Sequence, residues 1–205
     1  MAKLQVKKKD TWIDMTAMSD VTVLLLTFFI LTSTFIKREP VQVITPGSVS
    51  EVIIPEVNLL TILVDKNGRT FMSLDNQIHQ AKLLKDVGAE YGINPPFTDE
   101  ELQKFAVLPA FGTPIRDVRH LLTLDPTEQD KFLSNSGIPT DSIDNQFKSW
   151  VRHARLIVGG RELTIAIKAD EDTPYPKIKN IMGSLQDIRA NRFNLITTLK
   201  TGAAN

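Results

Sequence analysis

The sequence predicts a single N-terminal transmembrane helix followed by a small α/β domain, a mixed sheet with helices, that carries a helical insert. Three observations favour this fold class: one long apolar run near the N-terminus, four short segments with strand character, and helical periodicity in the segments between them. The chain has 205 residues. Roughly 165 of them follow the apolar run, which is enough for one modest hydrophobic core.

The apolar run extends from Ala17 to Ile36. As an α-helix it would span about 30 Å, the thickness of the hydrocarbon core of a bilayer. Four lysines lie among the first nine residues, whereas only Lys37 and Arg38 follow the run directly, so we expect residues 1–16 to be cytoplasmic and the remainder to lie outside. A cleaved signal peptide is the alternative, but the end of the run lacks an A-x-A-like cleavage site.

Asp20 lies near the start of this run. A carboxylate in a membrane helix costs about 2.5–3.5 kcal/mol at mid-bilayer and less near an end, and its usual use is to move protons or ions. At 100° per residue, Thr16, Thr27 and Thr34 lie within about 40° of Asp20 and form a polar stripe with it. Each threonine could instead bond to a backbone carbonyl of the preceding turn. The carboxylate cannot, so Asp20 is the candidate proton carrier, and partner helices are needed to enclose its path.

Composition argues against several other classes of function. The formal net charge is zero, which gives a nucleic-acid partner no electrostatic support, and the absence of cysteine excludes disulfides and thiol chemistry. His79, His120 and His153 are far apart and lack the spacing of metal ligands. Without a recognisable catalytic motif, the sequence predicts no enzyme, no metal and no cofactor, with protons as the transported ion.

The first part of the soluble region is predicted to be a linker followed by a hairpin and a helix. Residues 37–56 are rich in proline and lack a helical period, which indicates an extended linker. Within it, Val52, Ile53 and Ile54 form a short apolar piece that could act as a β-edge. Strands are predicted over Val57–Val64 and Arg69–Leu74 around a tight turn, followed by a helix over Ile78–Tyr91.

The segment 92–155 is predicted to be a helical insert that packs against the α/β core. Thr98 to Glu101 has the pattern of a capping box. Helices are expected over Glu101–Leu108, Pro114–Leu122, Pro126–Asn135 and Asp141–Ala154.

Beyond the insert, the sequence predicts a strand, a helix and a final strand within the domain 57–205. Glu162–Ala169 and Phe193–Leu199 have strand character, and Asp170 is expected to cap the turn that follows the first of them. The helix between them would bury one apolar stripe, formed by Ile178, Ile181, Met182, Leu185 and Ile188.

Two stretches resemble the ExbD/TolR family. Asp14–Val21 and the aliphatic residues after it are similar to the family's membrane motif, N-x-T-P-x-x-D-V, although Asp14 replaces the asparagine and Ala17 the proline. Asp20 falls on the protonatable aspartate and Thr16 on the threonine of that motif. Leu163–Thr198 is similar to the family's unit of a strand, an acidic turn, a helix and a strand.

The resemblance implies an ExbD-type subunit of a proton-driven motor in a bacterial inner membrane, with its soluble domain in the periplasm. By resemblance, an ExbB-type multi-pass pentamer surrounds a homodimer of the ExbD-type helix, and the complex energises a TonB-type protein. Val52, Ile53 and Ile54 would pair with their copy in the second subunit and close the proton path. A TolR-type role in envelope maintenance and a non-conducting, membrane-anchored binding module remain as alternatives.

Overall fold

A computed structural model of the chain describes residues 15–33, 47–48, 57–141, 144–159, 162–196 and 198–199. The chain divides into two compact units, Met1–Lys37 and Arg38–Asn205. The expected fold class is confirmed: an apolar N-terminal helix is followed by a small α/β domain with a four-stranded sheet.

The first unit contains helix α1, Met15–Thr32, which begins two residues before the predicted start at Ala17. The predicted end at Ile36 lies outside the described residues. None of the side chains of α1 is buried within the chain. At 1.5 Å per residue the helix is about 27 Å long, so its length and composition are those of a helix that can cross a membrane.

The second unit is built on a mixed sheet. Within the described residues, this unit has the strands β1 (Gly47–Ser48), β2 (Leu59–Val64), β3 (Thr70–Leu74), β4 (Thr164–Ala169), β5 (Phe193–Ile196) and β6 (Thr198–Leu199). The main sheet has the order β3-β2-β4-β5, in which β2 is antiparallel to β3 and the pairs β2–β4 and β4–β5 are parallel. β1 and β6 pair separately, also in parallel.

The turn between β2 and β3 is fixed by the side chain of Asp65. Its carboxylate accepts hydrogen bonds from the backbone N–H groups of Asn67 and Arg69, at 2.9 and 2.8 Å, and forms an ion pair with the Arg69 guanidinium. Gly68 has a φ of 77°, a conformation that favours glycine. The tight turn predicted from the sequence is therefore confirmed.

Six helices belong to the second unit within the described ranges. They are α2 (Gln77–Glu90), α3 (Asp99–Ala106), α4 (Val118–Thr123), α5 (Pro126–Leu133), α6 (Gln146–Val158) and α7 (Tyr175–Asp187), and a 3₁₀ turn at Ile115–Asp117 leads into α4. The predicted capping box of α3 is confirmed, because the Thr98 hydroxyl accepts from the Glu101 N–H and the Glu101 carboxylate accepts from the Thr98 N–H.

Two predicted elements were placed wrongly. The helix expected at Asp141–Ala154 is α6, which starts at Gln146 because the side chain of Asn145 accepts a hydrogen bond from the Lys148 N–H and caps it. It continues to Val158 and ends at Gly159, whose φ is 99°. The single strand expected over Phe193–Leu199 is two strands, since Thr198–Leu199 leaves the main sheet to pair with β1.

The segment 92–155 contributes directly to the main hydrophobic core. Phe105, Phe111 and Trp150 pack together with ring centroids 4.8 to 6.1 Å apart. All three side chains are fully buried and belong to the same cluster as the residues of the sheet and α2. The predicted packing of this segment against the α/β core is thus confirmed.

This segment also covers the outer edge of β3. Phe111 exchanges two backbone hydrogen bonds with Met72, at 2.7 and 2.8 Å, and the Ile138 N–H donates to the Thr70 carbonyl at 2.9 Å. An unpaired strand edge invites pairing with other chains. The covering residues satisfy backbone groups that β3 would otherwise expose on this side.

The apolar stripe predicted on α7 faces the core. Ile181 and Leu185 are buried, while Ile178, Met182 and Ile188 are half-buried and packed against the same cluster. Asp170 lies in the turn before α7, where its carboxylate accepts from the Asp172 N–H at 3.1 Å. The predicted role of Asp170 in that turn is therefore observed.

Candidate functional site

Asp20 is the only ionisable residue of α1. It lies five residues after the start of the helix, which is about 5 Å from its midpoint along the axis. Its side chain is exposed within the single chain, as are the apolar side chains around it. The surroundings of Asp20 in a membrane would therefore be lipid or other chains, and no residue of α1 shields it.

The hydroxyl groups of α1 bond mainly to the helix backbone. Ser19, Thr22 and Thr32 donate to carbonyl oxygens four residues earlier, at 2.8 to 2.9 Å, and Thr27 donates to the Leu24 carbonyl at 2.9 Å. These bonds satisfy the donors without any contact to Asp20. The support of Asp20 by Thr27 stays a prediction. In this chain, the Thr27 hydroxyl donates its hydrogen bond to the helix backbone.

Distance along the helix separates the members of the predicted stripe. Thr16 lies about 6 Å before Asp20 along the axis, a separation at which side chains on one face can meet. Thr27 lies about 10 Å beyond Asp20, too far for a direct hydrogen bond within one helix. Thr27 could therefore act on a carboxylate only across an interface with another helix or through water. Thr34 lies outside the described residues.

Polar residues are concentrated in the first half of α1, which the stripe alone does not capture. Ser19 and Thr22 lie beside Asp20 in sequence but off its face, and between Val23 and Leu31 the only polar residue is Thr27. The density of Ser and Thr along the sequence is the signal that could have identified the more polar half of the helix. The end of the helix that carries Asp20 is thus the more polar one.

The predicted gating residues Val52, Ile53 and Ile54 lie outside the described residues, so their role stays a prediction. Of the predicted linker, the structure describes Gly47–Ser48, which pairs in parallel with Thr198–Leu199. These two residues of the linker are therefore joined to β6 by backbone pairing.

The histidines occupy separate environments in the second unit. His153 lies 2.7 Å from a Glu90 carboxylate oxygen, and the His120 ring packs edge-on against Phe132, with centroids 5.5 Å apart. Within the ranges that the structure describes, no group of three or more His, Asp or Glu side chains could hold a metal ion.

A comparison with protein families matches residues 6–111 to the family described as biopolymer transport protein ExbD/TolR. The chain belongs to the ExbD/TolR family. The match covers about half of the chain and includes α1 with Asp20, the β2–β3 hairpin, α2 and α3. Searches of curated proteins and of solved structures find no match.

The family assignment fixes the coarse function. ExbD/TolR proteins belong to membrane motors that energise biopolymer transport, and they work with multi-pass membrane partners. The match extends into the segment 92–155 and ends at Phe111, so it does not include Leu163–Thr198. The similarity proposed for that stretch therefore stays a prediction, although its strand, turn, helix and strand are present as β4, α7 and β5.

Proposed function

We propose that this protein is an ExbD-type subunit of a motor driven by the proton-motive force, in which Asp20 carries the proton. The motor would lie in a bacterial inner membrane and energise TonB-dependent transport across the outer membrane. The observation that carries the proposal is one ionisable side chain in an otherwise uncharged membrane-length helix, inside the region that matches the family.

The energies involved are of similar size. A unit charge that crosses 100 mV changes in free energy by about 2.3 kcal/mol, close to the cost of about 2.5–3.5 kcal/mol of placing a carboxylate at mid-bilayer. Protonation of Asp20 would remove most of that cost, and deprotonation would restore it. A change of this size can shift the balance between two packing states of the membrane helices.

The exposure of α1 supports the proposed partners. A single helix without buried residues cannot enclose a path for protons, so other helices must surround Asp20. We propose an ExbB-type pentamer around a homodimer of α1, with a TonB-type protein as the receiver of the motion. The N-terminus would be cytoplasmic, as the lysines ahead of α1 favour, and the α/β domain periplasmic.

The test is a substitution of Asp20 by asparagine, which keeps the size and polarity but removes the ionisable proton. The variant should assemble with its multi-pass partner while proton conduction and energy-dependent uptake fall to background. Uptake through a TonB-dependent receptor is measured in cells that lack their own motor, and assembly is checked by copurification. Asp20→Glu should retain part of the activity because the carboxyl group remains.

Two hydroxyl variants serve as controls. Ser19→Ala and Thr22→Val each remove a hydroxyl group that donates to the helix backbone and lies off the face of Asp20, so both should assemble and change uptake by less than about twofold. Full uptake by the Asn variant would refute the carrier role and leave Asp20 as a structural polar contact. If the wild-type chain restores resistance to detergents but not uptake, the subunit is of the TolR type.

A further inference from the structure

The α/β domain contains a cavity of about 510 Å³ at the N-terminal ends of β4 and β5. It lies between the last turn of α6, the start of β4 and the connection from α7 to β5. Its lining includes Arg155, Arg189, Asn191, Arg192, Leu163 and Ile165. A cavity of this size is within the range of small-molecule sites.

The cavity is strongly positive. Among the residues that the structure describes in its lining, three are arginines and none is acidic. Among the described residues, no ion pair involves Arg155, Arg189 or Arg192. Arginine is always charged at physiological pH, so the cavity is lined by three positive charges.

The ends of two helices do not account for these charges. α6 ends at Val158 and α7 at Asp187, and each C-terminus carries about half a negative elementary charge. Arg155 neutralises part of the negative charge at the end of α7, because its guanidinium donates to the Ile188 carbonyl at 2.7 Å. Together the helix ends balance about one positive charge, which leaves an excess of about two.

The backbone at Arg189 provides an independent observation. The N–H groups of Arg189 and Ala190 donate to the carbonyls of Gln186 and Leu185, at 2.9 and 2.8 Å, which closes α7 with a Schellman motif. Arg189 has a φ of 55° at the position where glycine is the usual residue. Because a side chain is unfavourable in that conformation, the backbone does not select arginine here.

We propose that this cavity binds a small organic oxyanion with two or three negative charges, either a polycarboxylate or a phosphate ester. Guanidinium groups form bidentate hydrogen bonds with carboxylate and phosphate oxygens alike. Leu163 and Ile165 offer contacts to a carbon skeleton. A neighbouring apolar depression lined by Leu156 and Ile188 also includes Arg155, so an organic portion could extend from the cationic site.

Binding is tested on the full-length protein in a neutral detergent by isothermal titration calorimetry. Citrate and glycerol 3-phosphate are the two probes, at constant ionic strength, with potassium chloride as the blank. Saturable 1:1 binding of either probe supports the proposal, and the tighter of the two assigns the carboxylate or the phosphate class. Arg192→Gln should weaken binding about tenfold or more, since charged hydrogen bonds are lost.

Two further variants separate binding from folding and from overall charge. Arg189→Gly removes the cation and relieves the left-handed backbone, so it should weaken binding about tenfold while the Tm does not fall. Arg116→Gln removes the same charge at an exposed position outside the cavity and should bind as the wild type does. The proposal is wrong if neither probe saturates, if Arg189→Gly binds normally, or if Arg116→Gln weakens binding as much as Arg192→Gln.

Discussion

Helices α1 and α6 differ in where their apolar side chains find contacts. α6 has 13 residues and buries seven of them against the rest of the chain, among them Phe147, Trp150 and Val151. α1 has 18 residues and buries none. A helix whose contacts lie within its own chain is apolar on one side, whereas a helix that needs lipid or other chains is apolar all round. The lone carboxylate of α1 is therefore conspicuous, while the charges of α6 are ordinary.

The largest expected effect comes from comparing a carboxylate placed at a buried position with one placed at an exposed position. Leu185→Asp puts an unpaired carboxylate into the core and should unfold the α/β domain. Leu156→Asp makes the same change on α6 at an exposed side chain and should shift the Tm by only a few degrees at most. Thermal unfolding followed by circular dichroism measures both, and similar Tm values for the two variants would contradict the described packing.

Two glycine-to-alanine substitutions compare a crowded position with an open one, and their expected effects on stability are smaller. A Cβ at Gly112 would clash with the ring of the buried Phe71, so Gly112→Ala should lower stability by about 1–3 kcal/mol. A Cβ at Gly183, within α7, meets no atom within 4 Å. Gly183→Ala should raise stability by about 0.5–1 kcal/mol, because alanine favours helix. Urea titrations of the two variants should shift in opposite directions, and a common direction would show that Gly112 has room for a methyl group or that Gly183 does not.

The smallest expected effect is the pH dependence at Glu101. Burial alone would raise the pKa of its carboxyl group, but hydrogen bonds from Arg119 and Thr98 outweigh burial and lower the pKa below the usual 4.5. A lowered folded-state pKa stabilises the domain above pH 4.5, and this contribution is lost as the pH falls through the folded-state pKa. Its size is below about 1 kcal/mol, since the group is partly exposed.

Glu101→Gln measures this contribution directly. The variant should be less stable than the wild type at pH 7, and the difference should shrink as the pH falls from 4.5 through the lowered pKa of Glu101. Urea unfolding at pH 7, 5 and 3.5 is the measurement. A difference that stays constant over this range would mean that the charge of Glu101 plays no part.

Local signals in the sequence were sufficient for much of the fold. The box at Thr98, the turn at Asp65 and the stripe on α7 were predicted because each depends on residues within a few turns of one another. The start of α6 was missed because Asn145 and several earlier polar residues could each have capped a helix. The division of the last strand was missed because β6 pairs with Gly47–Ser48, about 150 residues away.

Asp20 and the arginine cavity also differ in whether local sequence signals were sufficient to predict them. Asp20 was found in the sequence because an acid in an apolar run needs no tertiary contact to be noticed. The arginine cavity was not predicted, because Arg155 and Arg192 meet only after α6, β4 and α7 have packed. The pair Arg189 and Arg192, directly after a predicted helix, was the one local signal.

The order of strands in the main sheet has a consequence for biosynthesis. β2 gains its neighbour β3 within about ten residues, but its other neighbour is β4, and the paired residues Leu59 and Thr164 are about 105 positions apart in the sequence. Closing so long a loop is entropically unfavourable and slow. During synthesis, one edge of β2 therefore stays open until the residues of β4 have emerged. A chain interrupted before Thr164 would retain that open edge and be prone to aggregate.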